Sequence, residues 1–142
     1  MSAPSTSREQ LISELEDKEF RDAFVREFIE GGLPFQIRAL RENHGWSQEE
    51  LGERVGQEEP GERAGMKQSA ISRLENPNYG TLNLKTLLRL ASAFDVALSV
   101  RFVSFANLLS LTQDLSPETL AVPSFDDDGE LVPLVSIGTL ED

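Results

Sequence analysis

The chain has 142 residues, of which 39% are hydrophobic, and it carries a formal net charge of −12 at pH 7. This length suits one domain of ordinary size with flanking extensions, and no apolar run approaches the roughly 20 residues that cross a bilayer. The absence of cysteine excludes disulfides, thiol nucleophiles and thiolate metal sites, and one histidine cannot form a His-rich site. We therefore expect no metal, no other cofactor and no catalytic residues. Because the amino terminus lacks a signal-peptide layout, we expect a cytoplasmic protein without a membrane partner.

The negative charge is concentrated in the two flanks of the chain. Residues 1–32 hold four basic and eight acidic residues, a net charge of −4, and residues 105–142 hold no basic and eight acidic residues, a net charge of −8. Residues 33–104 hold nine of each and are neutral. A neutral segment can still bind a polyanion such as DNA if its cations share one face.

Residues 1–8 are small and polar, and we expect them to be disordered. Helical spacing of apolar residues then runs from Glu9 to Glu30, with a joint at Asp17-Lys18 and an end at Gly31-Gly32. Three phenylalanines stand at successive i+4 steps of this extension: Phe20, Phe24 and Phe28. Such a stripe either packs on the domain core or binds a partner, and both interpretations stay open.

The next segment predicts a compact set of helices. Leu33-Pro34 suits the first turn of a helix that ends at His44-Gly45, with its apolar side chains turned inward: Ile37, Leu40 and Phe35. Ser47 followed by Glu50 is a capping box, which predicts the start of another helix. A polar loop, 57–65, follows, and a helix resumes near Lys67. Asn83 can cap a last strong helix with a wide apolar face.

After this helix the hydrophobic period changes from 3.6 to 2, which predicts a strand. The alternating positions are Val96, Leu98, Val100 and Phe102. A lone strand cannot satisfy its own backbone groups, so we expect it to pair with the same strand of a second copy, or else with a short segment of its own chain. Phe105 to Leu111 predicts a short helix, Ser116 one further turn, and residues 122–142 an acidic tail.

Three segments in this order, SQEEL, QSAISRLEN and LLRLASAFDV, resemble the Xre family of helix-turn-helix regulators, which includes phage repressors and Cro proteins. The resemblance covers about Leu33 to Leu98. It implies a mainly α fold: a repressor-like helix-turn-helix bundle with extra N-terminal helices and a short β-strand after the last core helix. The domain division would be an N-terminal extension (1–32), a DNA-binding domain (33–95), a dimerisation segment (96–121) and the tail (122–142).

The resemblance also implies roles for individual residues. The helix from Lys67 to Leu74 would enter the DNA major groove, where a glutamine amide can bridge adenine N6 and N7. The implied DNA-binding residues are Gln48, Lys67, Gln68, Ser69, Ser72 and Arg73. Arg41 and Glu75 would form a structural ion pair between two helices. Lys67 replaces the usual capping Ser or Thr, which loses a cap of the order of 1 kcal/mol.

The chain departs from the family at the connection between the two helices, where residues 57–65 form an insertion. Three of its residues are glutamates, and they would repel phosphate if the loop hung toward DNA; we expect it to bulge away from the DNA face.

We therefore predict a sequence-specific, double-stranded-DNA-binding transcriptional regulator that acts as a homodimer on a near-palindromic operator. The alternative is an antitoxin or other interaction protein, whose acidic flanks or phenylalanine stripe would bind a partner such as a toxin.

Overall fold

The computed structural model describes residues 3–58, 65–79 and 82–131. Within these ranges the chain forms helices α1 (Ala3–Glu14), α2 (Lys18–Asn43), α3 (Gln48–Glu58), α4 (Gln68–Leu74), α5 (Leu84–Phe94), α6 (Phe105–Leu111) and α7 (Pro117–Leu120), followed by a 3₁₀ turn, Phe125–Asp127. The predicted mainly α fold is confirmed. None of the helices in these ranges is long and apolar enough to cross a membrane.

The joint between α1 and α2 lies at Asp17, as the sequence predicts. The Asp17 carboxylate accepts a hydrogen bond from the backbone N–H of Glu19 (3.2 Å), which caps α2. The Arg21 guanidinium donates to the backbone carbonyls of Leu15 (2.8 Å) and Glu16 (2.9 Å), just beyond the end of α1. α1 begins at Ala3, earlier than the helix that the apolar spacing predicts from Glu9.

The predicted helix boundary at Gly31-Gly32 is wrong, because α2 continues through both glycines and through Pro34. Relative to alanine, glycine costs a helix about 1 kcal/mol and proline about 3 kcal/mol. Packing outweighs these local preferences here. Pro34 is buried, and α7 packs against α2, with the Gln36 side chain donating to the carbonyl of Leu120 (3.0 Å).

The predicted end of this helix and the start of the next are confirmed. α2 ends at Asn43, and Gly45 takes a positive φ of 72° in the connection, a conformation that glycine adopts at little cost. The capping box then forms in full. The Ser47 hydroxyl accepts from the Glu50 N–H (3.0 Å), and the Glu50 carboxylate accepts from the Ser47 N–H (3.0 Å).

Two glycines bring the chain back to α3 after the insertion. α3 extends to Glu58, two residues into the predicted loop, and residues 59–64, on which the predicted bulge depends, lie outside the described ranges. The chain returns where the Met66 N–H donates to the carbonyl of Gly52 (2.9 Å). A Cβ at Gly52 would overlap the Met66 carbonyl oxygen, and one at Gly65 would overlap the Gly52 carbonyl oxygen. This close contact fixes where α4 begins.

The hydrophobic core lies between α2, α3, α4 and α5. Its buried members are Ile37, Leu40, Leu51, Val55, Ile71, Leu74, Leu90, Ala93 and Phe94. Asn83 caps α5 by accepting from the Thr86 N–H (2.8 Å), as predicted. Phe35, which we expected to turn inward, is 47% exposed, so that expectation is wrong. Leu84 and Leu88 also remain exposed on α5, because only one side of that helix meets the core.

The segment after α5 is not a strand in this structure. Residues 96–104 have no regular secondary structure, since a strand needs a hydrogen-bonded partner and no part of the chain in the described ranges supplies one. The two helices predicted beyond it are confirmed. Ser104 caps α6 and Ser116 caps α7 through hydroxyl oxygens that accept from backbone N–H groups (3.2 and 3.3 Å).

Candidate nucleic-acid interface

Helix α4 is amphipathic and turns its polar face to solvent. Ile71 and Leu74 are buried in the core. The predicted DNA-binding residues of this region are all exposed: Lys67, Gln68, Ser69, Ser72 and Arg73. Lys67 occupies the N-cap position without a side-chain cap hydrogen bond. An exposed cation and short polar side chains therefore lie together on this face.

A chain of hydrogen bonds links α2 to the first residue of α4. Arg41 donates two hydrogen bonds to the Glu75 carboxylate, from Nε to Oε2 (2.6 Å) and from Nη2 to Oε1 (3.0 Å). Gln48 Nε2 donates to Glu75 Oε1 (3.2 Å), and Gln68 Nε2 donates to Gln48 Oε1 (2.5 Å). The structure therefore brings together the predicted ion pair and two of the predicted DNA-binding residues.

This chain of hydrogen bonds determines which end of the Gln68 amide is free. An ionised carboxylate can only accept hydrogen bonds, so Gln48 must present its NH₂ group to Glu75. Its oxygen then faces Gln68 and takes one of that amide's two N–H donors. The Gln68 oxygen and the second N–H remain available, which is the donor and acceptor pair that matches adenine N6 and N7.

The Arg41–Glu75 ion pair, with which this chain of hydrogen bonds begins, is almost fully buried. The Arg41 and Glu75 side chains are 13% and 5% exposed, and Arg41 Nη1 also donates to the Trp46 carbonyl (2.9 Å). The hydrogen bond to Glu75 raises the pKa of Arg41 above its ordinary value, so the guanidinium stays charged. The pair holds the end of α4 to the end of α2.

The cations near this face have different environments. Arg54 lies over the Trp46 ring, 4.7 Å from its centroid, and Trp46 in turn stacks on His44 at 4.2 Å between centroids. Lys67 and Arg73 are exposed, and none of the carboxylates in the described ranges forms an ion pair with either. Both side chains are therefore open to an anionic ligand.

Sequence reasoning missed one aromatic residue beside this face. The Arg73 guanidinium lies over the Tyr79 ring, 5.8 Å from its centroid. The signal was the tetrapeptide Asn76-Pro77-Asn78-Tyr79, whose order suits a tight turn directly after α4.

The four residues predicted for dimerisation fall into two pairs. Val96 and Leu98 are partly buried and line an apolar groove with side chains of α2 and α5. Val100 and Phe102 extend beyond the domain and are 70% and 106% exposed. The structure thus leaves the outer half of this apolar segment uncovered by any of the described residues.

Helix α4 exposes a polar face and is held to α3 by the buried core and by the hydrogen bonds that run from Arg41 to Gln68. This arrangement is typical of the helix-turn-helix class of DNA-binding domains. Residues 37–100, a little under half of the chain, match the family model described as Helix-turn-helix. The resemblance to the Xre and Cro regulators is confirmed, and the domain is a DNA-binding regulatory one. No curated protein and no solved structure matches this chain.

Proposed function

We propose that the protein is a sequence-specific transcriptional regulator that binds a near-palindromic operator as a homodimer. The observation that carries this proposal is the exposed Gln68 amide, oriented by the hydrogen bond that it donates to Gln48, which in turn donates one to the Glu75 carboxylate. Gln68 reads a base edge, Ser69 and Ser72 contact bases or phosphate, and Lys67 and Arg73 neutralise phosphates. Gln48 braces Gln68 and lies at the amino terminus of α3, where the N–H groups face phosphate.

The direct test of this function is selection of bound fragments from a random DNA library. We expect enrichment of one sequence made of two inverted half-sites, about one helical turn apart from centre to centre, because each subunit presents one α4. Recovery of unenriched sequences would contradict sequence-specific binding, and recovery of a single unrepeated half-site would contradict the dimer.

The second subunit is proposed to pair along residues 96–102. Val100 and Phe102 are exposed apolar side chains on a segment whose backbone has no partner among the described residues. Antiparallel pairing with the same segment of a second copy would satisfy these backbone groups and bury both side chains around a two-fold axis.

Replacement of both Val100 and Phe102 by aspartate is expected to give a monomer by sedimentation at concentrations where the wild-type protein is a dimer. Like charges would face each other across the two-fold axis, while the domain core is untouched. Aspartate at Leu84 and Leu88, apolar side chains of α5 that are 55% and 54% exposed and lie outside this segment, is the matched control and should leave the dimer intact. An unchanged sedimentation coefficient for the first variant would contradict this interface.

A protein-interaction function, such as that of an antitoxin, remains the second candidate. The observation that favours it lies on α2 outside the matched region, where Ile29 and Phe35 are 48% and 47% exposed beside the half-buried stripe of Phe20, Phe24 and Phe28. A neighbouring reading frame for a small basic protein, together with co-purification of that protein, would favour this candidate. Complex formation that persists after replacement of Ile29 and Phe35 by serine would count against this surface.

A further inference from the structure

The turn after α4 holds an aromatic ring beside the candidate DNA-binding face. Asn76 accepts a hydrogen bond from the Tyr79 N–H through its backbone carbonyl (3.1 Å) and one from the Asn78 N–H through its side chain (3.0 Å). Pro77 stands at the position of a tight turn where its fixed φ is preferred. The turn is also tied to α4, because the Asn76 N–H donates to the Arg73 carbonyl (3.1 Å).

Packing of the domain does not explain why a tyrosine occupies this turn. Tyr79 is 54% exposed and is not part of the core. Its ring lies under the guanidinium of Arg73, 5.8 Å from centroid to Cζ, within the range of a cation–π contact. Arg73 is itself exposed, and the described residues offer it no carboxylate partner. The ring is therefore the contact that places this side chain.

A cation–π contact suits an arginine that must bind an anion. The face of the Tyr79 ring, unlike a carboxylate, offers no oxygen acceptor, so the five N–H donors of the guanidinium stay available for phosphate or for a guanine edge. An ion pair with a carboxylate would occupy the same donors. A free arginine side chain also loses considerable rotamer freedom when it binds, and a ring that limits its positions beforehand reduces that loss.

We infer that Tyr79 is a positioning residue for DNA binding: its ring, and not its hydroxyl, holds the Arg73 guanidinium toward the DNA. This inference rests on the proposed function, since it assigns to Arg73 a contact with the nucleic acid. Tyr79 itself makes no hydrogen bond to DNA in this arrangement.

The test measures affinity for the selected operator by fluorescence anisotropy, with full-length protein. We expect Y79L to weaken binding by about 5- to 30-fold for a dimer, which corresponds to one exposed cation–π contact in each half-site. Y79F, which keeps the ring and lacks the hydroxyl, is the matched control and should bind like wild type. In an R73Q background, Y79L should cause no further loss. The melting temperature of Y79L should stay near that of wild type, because the ring is exposed.

Salt dependence separates positioning from charge. Y79L should leave the slope of log affinity against log salt unchanged, because the arginine charge is still present, whereas R73Q should reduce the slope by about 0.9 per half-site. Equal losses for Y79F and Y79L would assign the effect to a hydroxyl contact and overturn the inference. So would additive losses for Y79L and R73Q. If the wild-type protein binds no DNA at all, the proposed function fails and this inference fails with it. If the wild-type protein binds normally, but Y79F loses as much as Y79L or the losses of Y79L and R73Q add, this inference alone is overturned.

Discussion

Replacement of Arg41 by leucine is expected to destabilise the protein by about 3–5 kcal/mol, the cost of leaving one member of a buried pair without its partner. The Glu75 side chain is only 5% exposed, and leucine offers no donor to replace the two hydrogen bonds that Arg41 donates. The Trp46 carbonyl would lose its donor as well. Urea unfolding, followed by circular dichroism, measures this change in the free energy of unfolding.

Arg38 provides the matched control on the same helix. It forms an ion pair with Glu42 at 3.4 Å, and the two side chains are 61% and 56% exposed, a setting in which a pair contributes about 0.2–1 kcal/mol. R38L should therefore change stability far less than R41L. Combining R41L with E75L should recover part of the loss, because no charge is then left buried without a partner. Equal effects of R41L and R38L would contradict the structural role of the Arg41–Glu75 pair.

Replacement of Gln68 by alanine is expected to remove most of the preference for the operator. A bidentate amide contact to a base contributes about 1–3 kcal/mol of discrimination, and a symmetric dimer would lose it in both half-sites, which amounts to at least about 30-fold in affinity. Binding to unrelated DNA should change little, because Gln68 carries no charge. Parallel titrations of both DNAs measure the two effects.

Lys67, the residue directly before Gln68, is the control for this variant. K67A removes a charge and should weaken binding to the operator and to unrelated DNA by similar factors. Q48A is expected to resemble Q68A in a milder form, because it frees the Gln68 amide without removing it. A uniform loss for Q68A on every DNA sequence would contradict the base-reading role.

Features that depend only on neighbouring residues could be predicted from the sequence. The caps at Ser47, Asn83 and Ser116 depend on a side chain that meets a backbone N–H three residues away. The apolar spacing of the helices around the core likewise depends on a period that the sequence displays directly. These local signals predicted the helices around the core, while the helix-turn-helix arrangement was implied by the resemblance of three segments to the Xre family.

Features that depend on distant partners could not be predicted in this way. Gly31, Gly32 and Pro34 all favour a break, yet α2 passes through them because α7, more than 80 residues further along the chain, packs against this part of the helix. The segment around Val100 has strand periodicity, but the described chain offers it no second strand. The contact between Gly52 and Gly65 depends on how the insertion returns, which no local pattern encodes.

The candidate site shows the same division. The sequence indicated which side chains α4 would expose, because its apolar residues mark the opposite face. The family resemblance implied the Arg41–Glu75 ion pair, but not the hydrogen bond that Glu75 also accepts from Gln48, since that geometry requires three helices in place. Nor did it single out Tyr79, whose relation to Arg73 depends on the conformation of one turn.

The most direct measurement is the affinity of the wild-type protein for its selected sequence and for unrelated DNA over a range of salt concentrations. If the exposed cations of the neutral domain, and not the total charge of −12, govern binding, log affinity will fall against log salt with a slope of roughly −4 to −8. The selected sequence should bind at least about a thousandfold more tightly than the unrelated one. Absence of binding at low salt, or equal affinity for both DNAs, would contradict this account.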